Sequence, residues 1–311
     1  MEQLYQRDVY GKTLVELGKL NKNIVVLDAD LSSSTRTSLF AKEFPERFFN
    51  FGVAEQNMMA CAAGLAASGK TVFLSTFAIF ASGRAWDQVR NSICYNNFNV
   101  KIVATHAGIS VGPDGASHQA LEDLALMRVI PNMNIIVPCD GPQASQAVKT
   151  AADTKGPFYI RLGRPKVPTL ENKGEFAFGK AQVLSEGNDI AIIACGIMVA
   201  EALIAVKNLA KKGIRARLIN MHTLRPLDTE TILKAAKETR GIIACEEHTI
   251  IGGLASSIDE VVAENCPTKV MRLGVRNRFG QSGEPSELLK EYNLTNLDIE
   301  KSATQCFANS K

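Results

Sequence analysis

Residues 51–65 read FGVAEQNMMACAAGL, a turn with one carboxylate, Glu55, opening a helix made almost wholly of small and apolar residues. Met58, Met59, Ala60, Ala62, Ala63, Gly64, Ala66 and Ala67 leave that helix no polar face, the pattern of a buried helix. Glu55 is therefore expected to be poorly solvated. One reading places it in the first helical turn, where free N–H groups and the helix dipole favour a negative charge by about 0.3 to 1 kcal/mol. The other makes it an acid or base whose burial tunes it for proton transfer near pH 7.

Outward from this helix, the chain alternates. Helical spacing over 8–20 is followed by a short apolar run at 24–27 that ends in Asp28-Ala-Asp30. A serine- and threonine-rich loop leads to a second helix ending before Pro45, then to a short strand at 48–50. After the Glu55 helix stops at 68–70, strands are predicted at 71–76, 100–105, 134–137 and 158–161, with helical character over 80–95. Strands apolar on both faces and alternating with helices imply an α/β, doubly wound, mostly parallel sheet covered by helices. Composition shifts after Arg161, and the alternation restarts at 190–194. The predicted organisation is a first domain over 1–165, a linker over 166–184 and a second doubly wound domain over 185–311.

With 311 residues, 46% hydrophobic and 22% charged, the chain can bury about two cores. A net charge of +3, without a block of like charges, gives no electrostatic footprint for nucleic acid or an anionic membrane. The N-terminus shows no signal-peptide pattern and the chain no long apolar run, so a cytoplasmic protein is expected. Seven scattered cysteines, without CxxC, are read as mostly buried thiols, neither disulfides nor a zinc site.

Ligands of open α/β sheets bind beyond the carboxyl ends of the strands. Asp30 and Ser32 to Ser34 follow the first long strand, Phe77 and Phe80 follow the strand TVFLST, and His106, Asp114 and His118 follow KIVAT. Two of the four histidines thus lie in one glycine-rich loop, HAGISVGPDGASHQ. Each could be an ordinary loop residue, but long glycine-rich loops bring backbone close to ligands.

Together, GVAEQNMMACAAGLA, STFAIFASGRAWDQVR, THAGISVGPDGASHQALEDL and VPCDG resemble the pyrimidine-binding domain of transketolases, which are thiamine diphosphate enzymes. ACGIMVAEAL, HTLRPLD and EEHTIIGGL resemble their C-terminal domain, so the likeness covers essentially the whole chain. It implies that Glu55 hydrogen-bonds the cofactor's aminopyrimidine ring and promotes loss of the thiazolium proton. Phe77 and Phe80 would pack around that ring, and Asp30 would lie near cofactor and subunit contact. His106, Asp114 and His118 would bind sugar hydroxyls, the two histidines also moving protons, while Arg7, Ser34 and Arg164 would hold the substrate phosphate. Gly83 stands where the family often has a tyrosine, and Pro113 where many relatives have a glutamate.

The family's diphosphate domain carries a GDG motif and a later asparagine that hold Mg²⁺ and the diphosphate; this chain has no GDG. The resemblance therefore implies the C-terminal subunit of a split transketolase, with no metal ligands of its own. Mg²⁺ would be bound mainly by an N-terminal partner subunit, and the chain would homodimerise within a heterotetramer acting on sugar phosphates. The open half-site is expected to be apolar, including parts of 77–95. Rival readings are half of a deoxyxylulose-phosphate synthase-like enzyme, a 2-oxo acid dehydrogenase beta-type subunit, and a catalytically silent scaffold.

Overall fold

In this computed structural model, residues 2–171 and 174–308 are described. Strand β1 (Gln3–Tyr5) leads into the helix Gln6–Leu20, and β2 (Ile24–Asp28), β3 (Phe48–Asn50), β4 (Thr71–Phe77), β5 (Val100–Thr105), β6 (Asn134–Ile136) and β7 (Phe158–Arg161) follow. β8 (Lys166–Pro168) returns antiparallel to β1, so residues predicted as linker are partly paired back onto the start of the chain. Within the same predicted linker, Asn172 and Lys173 lie outside the described residues. The second half supplies β9 (Gln182–Ser185), β10 (Ile190–Ala194), β11 (Ala216–Asn220), β12 (Thr223–Arg225), β13 (Ile242–Thr249) and β14 (Val270–Val275).

The first sheet has the order β12-β6-β7-β5-β4-β2-β3, and the second β14-β13-β10-β11-β9. Both are parallel except at one edge, where β12 and β9 run antiparallel to their neighbours. β12 comes from the second half of the chain yet completes the first sheet, which the sequence pattern did not anticipate.

β2, β4, β5 and β7 are buried at every residue. Alternation then serves two cores: Val25, Leu27 and Leu74 face one cluster, and Ile24, Val26 and Phe73 the other. The first of these clusters runs on into Ile193, Ile219, Met221 and Ile258, joining the two sheets through shared apolar packing.

Two predicted helices are broken. The one before Pro45 is split into Ser32–Thr35 and Ser38–Glu43, with Arg36 between them at φ +71°. Buried Asp28 causes this: it accepts hydrogen bonds from the Leu31 N–H and the Thr35 and Thr37 hydroxyls, at 2.7, 2.8 and 2.8 Å. The 80–95 segment is wound as two π-helical stretches, Phe80–Arg84 and Gln88–Cys94, marked by the Tyr95 N–H donating to the Arg90 carbonyl at 2.9 Å. Such windings are rare and often found at functional sites.

Candidate active site

The carboxyl ends of β2, β4, β5 and β7 deliver most of the polar groups. β4 ends at Phe77, and the π-helical turn after it presents Phe80 and Arg84. β5 runs directly into His106, held at φ +57°. Glu55 arrives separately, as the first residue of the helix Glu55–Ala67, and is 2% exposed.

Four rings cluster. Phe77 stacks on His106 with centroids 3.9 Å apart and lies nearly parallel to Phe80 at 6.1 Å. His118 stands edge-on to both phenylalanines, at 6.3 and 5.5 Å.

His106 has a defined protonation. Arg7 Nη1 lies 3.3 Å from its Nε2, and because arginine only donates, Nε2 must be the acceptor. The proton then sits on Nδ1 and is donated to the Thr105 hydroxyl at 2.9 Å. Burial, reinforced by Arg7, Arg164 and His118, pushes the imidazole down to about 3. It is a neutral group at all physiological pH.

Arg7 also donates to the Ser34 carbonyl at 3.2 Å, while its buried Nε has no acceptor among the described residues. Burial and then Arg36 draw its guanidinium below the usual arginine range, and Arg164 adds to the effect. Arg164 is half-buried and donates to the Val111 carbonyl at 2.8 Å, so it is anchored on the histidine loop itself.

Glu55 is an ion-paired carboxylate: Arg84 Nη1 lies 2.8 and 3.0 Å from its two oxygens. The Arg84 guanidinium covers the Phe80 ring at 4.5 Å and is half-exposed. Glu55, Arg84 and Phe80 thus adjoin the ring cluster through Phe80.

Not every expected residue converges. Asp114 is exposed in the loop, Asp30 is exposed with its N–H held by Asn50, and Ser34 meets Arg7 through its carbonyl, not its hydroxyl. The exposed positions of 77–95 are Gly83, Arg84, Asp87, Arg90, Asn91 and Tyr95, mostly polar apart from the Tyr95 ring at 82%, while Ile79, Phe80 and Trp86 are partly exposed. Arg84 was missed because no periodicity links it to a carboxylate 29 residues earlier. Glu247 was missed as well: it comes from β13, and its Oε1 accepts from the Ser110 N–H in the histidine loop at 2.5 Å.

A buried carboxylate at a helix start beside near-parallel aromatics suits a planar, hydrogen-bonding heterocycle, so these residues fit the pyrimidine half of thiamine diphosphate. The family described as "Transketolase, pyrimidine binding domain" matches residues 2–169, and "Transketolase, C-terminal domain" matches 179–299. The chain belongs to the transketolase family.

A Methanocaldococcus jannaschii protein named as a transketolase C-terminal section is 51% identical, over 95% of this chain and 94% of its own length. A 6-deoxy-6-sulfo-D-fructose transketolase subunit from a Clostridium species is 41% identical, over 97% of this chain and 94% of its own. A solved chain described as a split gene transketolase, inactive beta4 tetramer, superposes with a TM-score of 0.92 at 51% identity, covering 99% of this chain and all of that one. Both transketolase domains are therefore present, with the doubly wound architecture read from the sequence.

Proposed function

We propose that this chain is the C-terminal subunit of a two-chain, thiamine diphosphate-dependent transketolase, moving a two-carbon ketol unit from a ketose phosphate to an aldose phosphate. The observation that carries this reading is a buried, ion-paired Glu55 linked through Arg84 to Phe80, whose ring joins those of Phe77, His106 and His118. When bound, thiamine diphosphate supplies the electron sink for breaking the ketose C2–C3 bond.

This chain's residues do the rest. Glu55 would leave Arg84 for the pyrimidine ring of the bound cofactor and hold a hydrogen bond to a ring nitrogen. Phe77 and Phe80 flank the ring and keep water away from it. His106, neutral with Nε2 free of a proton, accepts a hydrogen bond from a sugar hydroxyl once Arg7 turns from it to the phosphate. His118, half-buried and in contact with the Ser117 hydroxyl at 2.9 Å, moves a proton between sugar and solvent. Asp114 binds a further hydroxyl once the loop meets substrate, and Asp30 lies at the rim toward the other subunit. Arg7 and Arg164, with Ser34, receive the phosphate through their guanidinium donors.

The diphosphate and Mg²⁺ are assigned mainly to an N-terminal partner, since this chain has no GDG. The inactivity named for the similar beta4 tetramer supports a chain that is silent without that partner. A cytoplasmic heterotetramer with two copies of each chain, in sugar-phosphate metabolism such as the pentose phosphate route, completes the proposal. Among the described residues no helix is long and apolar enough to cross a membrane.

The test is reconstitution. Purified alone, with Mg²⁺ and cofactor, the chain should show negligible ketol transfer; adding a diphosphate-domain chain should restore it. Full turnover by the lone chain refutes the split-enzyme reading, and a cofactor-loaded complex that transfers no ketol unit refutes the transketolase activity.

A further inference from the structure

We propose that Glu247, on strand β13 of the second domain, is a positioning residue for the histidine loop: its carboxylate fixes the backbone downstream of His106 and thereby sets where the His106 and His118 rings stand. The proposal rests on the ketol-transfer reading only for its catalytic consequence.

His106 has φ +57°, a left-handed conformation that a residue with a side chain keeps only when its surroundings impose it. Upstream, β5 imposes it, with Thr105 registered against Phe77 of β4. Downstream, the loop must be pinned as well. The Ala107 N–H donates to the Leu162 carbonyl at 3.2 Å, and the Gly108 N–H to the Ala120 carbonyl at 2.9 Å, both within the first domain. The next anchor is the Ser110 N–H, donated to Glu247 Oε1 at 2.5 Å.

The fit around that carboxylate is specific. Gly108 has φ +85°, and a Cβ there would overlap the Glu247 carboxyl group, so the loop backbone lies directly against it. Glu247 is 4% exposed, and its own backbone is fixed. Its carbonyl accepts from Arg161 Nη2 at 3.0 Å, and two residues on the Thr249 N–H donates to the Leu121 carbonyl at 2.8 Å. Arg161 and Asp123 are the charged neighbours from the first domain, and Glu246 and His248 flank it on β13. A second tie from the same domain, the Gln281 carbonyl accepting from Gln119 Nε2 at 2.9 Å, holds the far end of the loop beside His118. Reach and acceptor character, more than charge, are what the Ser110 contact requires. Glu247→Asp keeps the carboxyl group but is one methylene short; Glu247→Gln keeps the reach and an acceptor oxygen.

The experiment compares Glu247→Asp, Glu247→Gln and Glu247→Ala in the full chain. Imidazole NMR of the isolated protein reads His106 directly, with His222, packed 4.5 Å from Phe176 in a separate place, as the control for folding. In the wild type and the Gln variant, His106 should show no titration between pH 5 and 8; in the Asp and Ala variants its signals should shift and begin to titrate, while His222 is unmoved. After reconstitution with a diphosphate-domain chain, Asp and Ala should lower kcat about ten- to hundredfold, with KM for the phosphorylated acceptor changed less than about twofold. An unmoved His106 in a folded Asp or Ala variant overturns the proposal, and so does loss of the His106 signature in the Gln variant. The NMR arm does not involve catalysis, so a wild-type complex without ketol transfer would refute the proposed activity and leave this test standing.

Discussion

Lys101 offers a sharp test of how the sheet beneath the site is held. It lies in β5, five residues before His106, and is fully buried. Its ammonium donates to the Thr154 and Gly156 carbonyls, both at 2.7 Å, and sits 4.5 Å from the Phe158 ring centroid. Among the described residues no carboxylate pairs with it within ion-pair distance, and burial pushes it down from 10.5 to about 7. The sign follows from proton counting. Below pH 7 folded and unfolded chains both carry the proton, and the full cost of burying the charge stands. Between about 7 and 10.5 the unfolded chain holds one more proton than the fold, so this residue's contribution to stability rises with pH. At about 1.36 kcal/mol per pH unit, that window is worth at most about 5 kcal/mol. Lys101→Met removes the titration and leaves two carbonyls short of a donor, costing about 1 to 3 kcal/mol each. Urea unfolding of both proteins at pH 6, 7, 8 and 9, at one protein concentration, gives the difference in stability. Buried Tyr10 and Cys94, pushed up by burial, weaken both proteins alike at high pH and cancel. The wild type should gain on the variant by about 1 kcal/mol per pH unit above pH 7; parallel curves refute the buried-amine account.

Glu55→Gln keeps the side chain's shape but removes the carboxylate, so the reconstituted enzyme should fold normally and lose exchange of the cofactor's thiazolium proton. Quenched NMR reads that exchange, and a wild-type rate rejects the assignment. His106→Ala and His118→Ala should each impair use of a hydroxylated ketose donor while leaving cofactor affinity intact, as measured by donor kinetics alongside a cofactor titration. Arg164→Ala should raise KM for phosphorylated substrates by about 10- to 150-fold, the worth of a charge-assisted contact of about 1.5 to 3 kcal/mol. Equal losses with phosphorylated and unphosphorylated acceptors would remove Arg164 from the phosphate site.

The parallel strands of both sheets were legible because, covered on two faces, they read as short apolar runs, as Ile24 to Leu27 and Ile190 to Ala194 do, whereas antiparallel β9 falls mostly in the predicted linker. β12 was not, because Thr223–Arg225 is three residues long and its pairing with β6 depends on a neighbour about ninety positions away. Within the site, Glu55 was visible as a charge out of place in an apolar helix, and the two histidines by their glycine-rich setting. Their partners were not. Arg84 meets Glu55, Arg7 meets His106 and Glu247 meets Ser110 across 29, 99 and 137 positions. Contacts at such separations leave no periodic trace; they are set by where strand ends come together.

The charges around Arg7 show why this end of the sheet suits an anion. Arg36 and Arg164 act on Arg7 with like charge, and Asp8 offsets only part of this. Asp8 is itself engaged by Arg36 at 2.6 Å. Asp28, at the end of β2, is occupied by two threonine hydroxyls and a backbone N–H, and burial pushes its carboxyl up. Among the described residues Arg7 meets a carbonyl and an imidazole acceptor, and its Nε has none. On the proposed reading, an anionic oxygen held by Arg7 and Arg164 would relieve the like-charge contact and leave the His106 proton where it is. A neutral sugar end would relieve nothing, so a site of this kind would favour a charged substrate terminus.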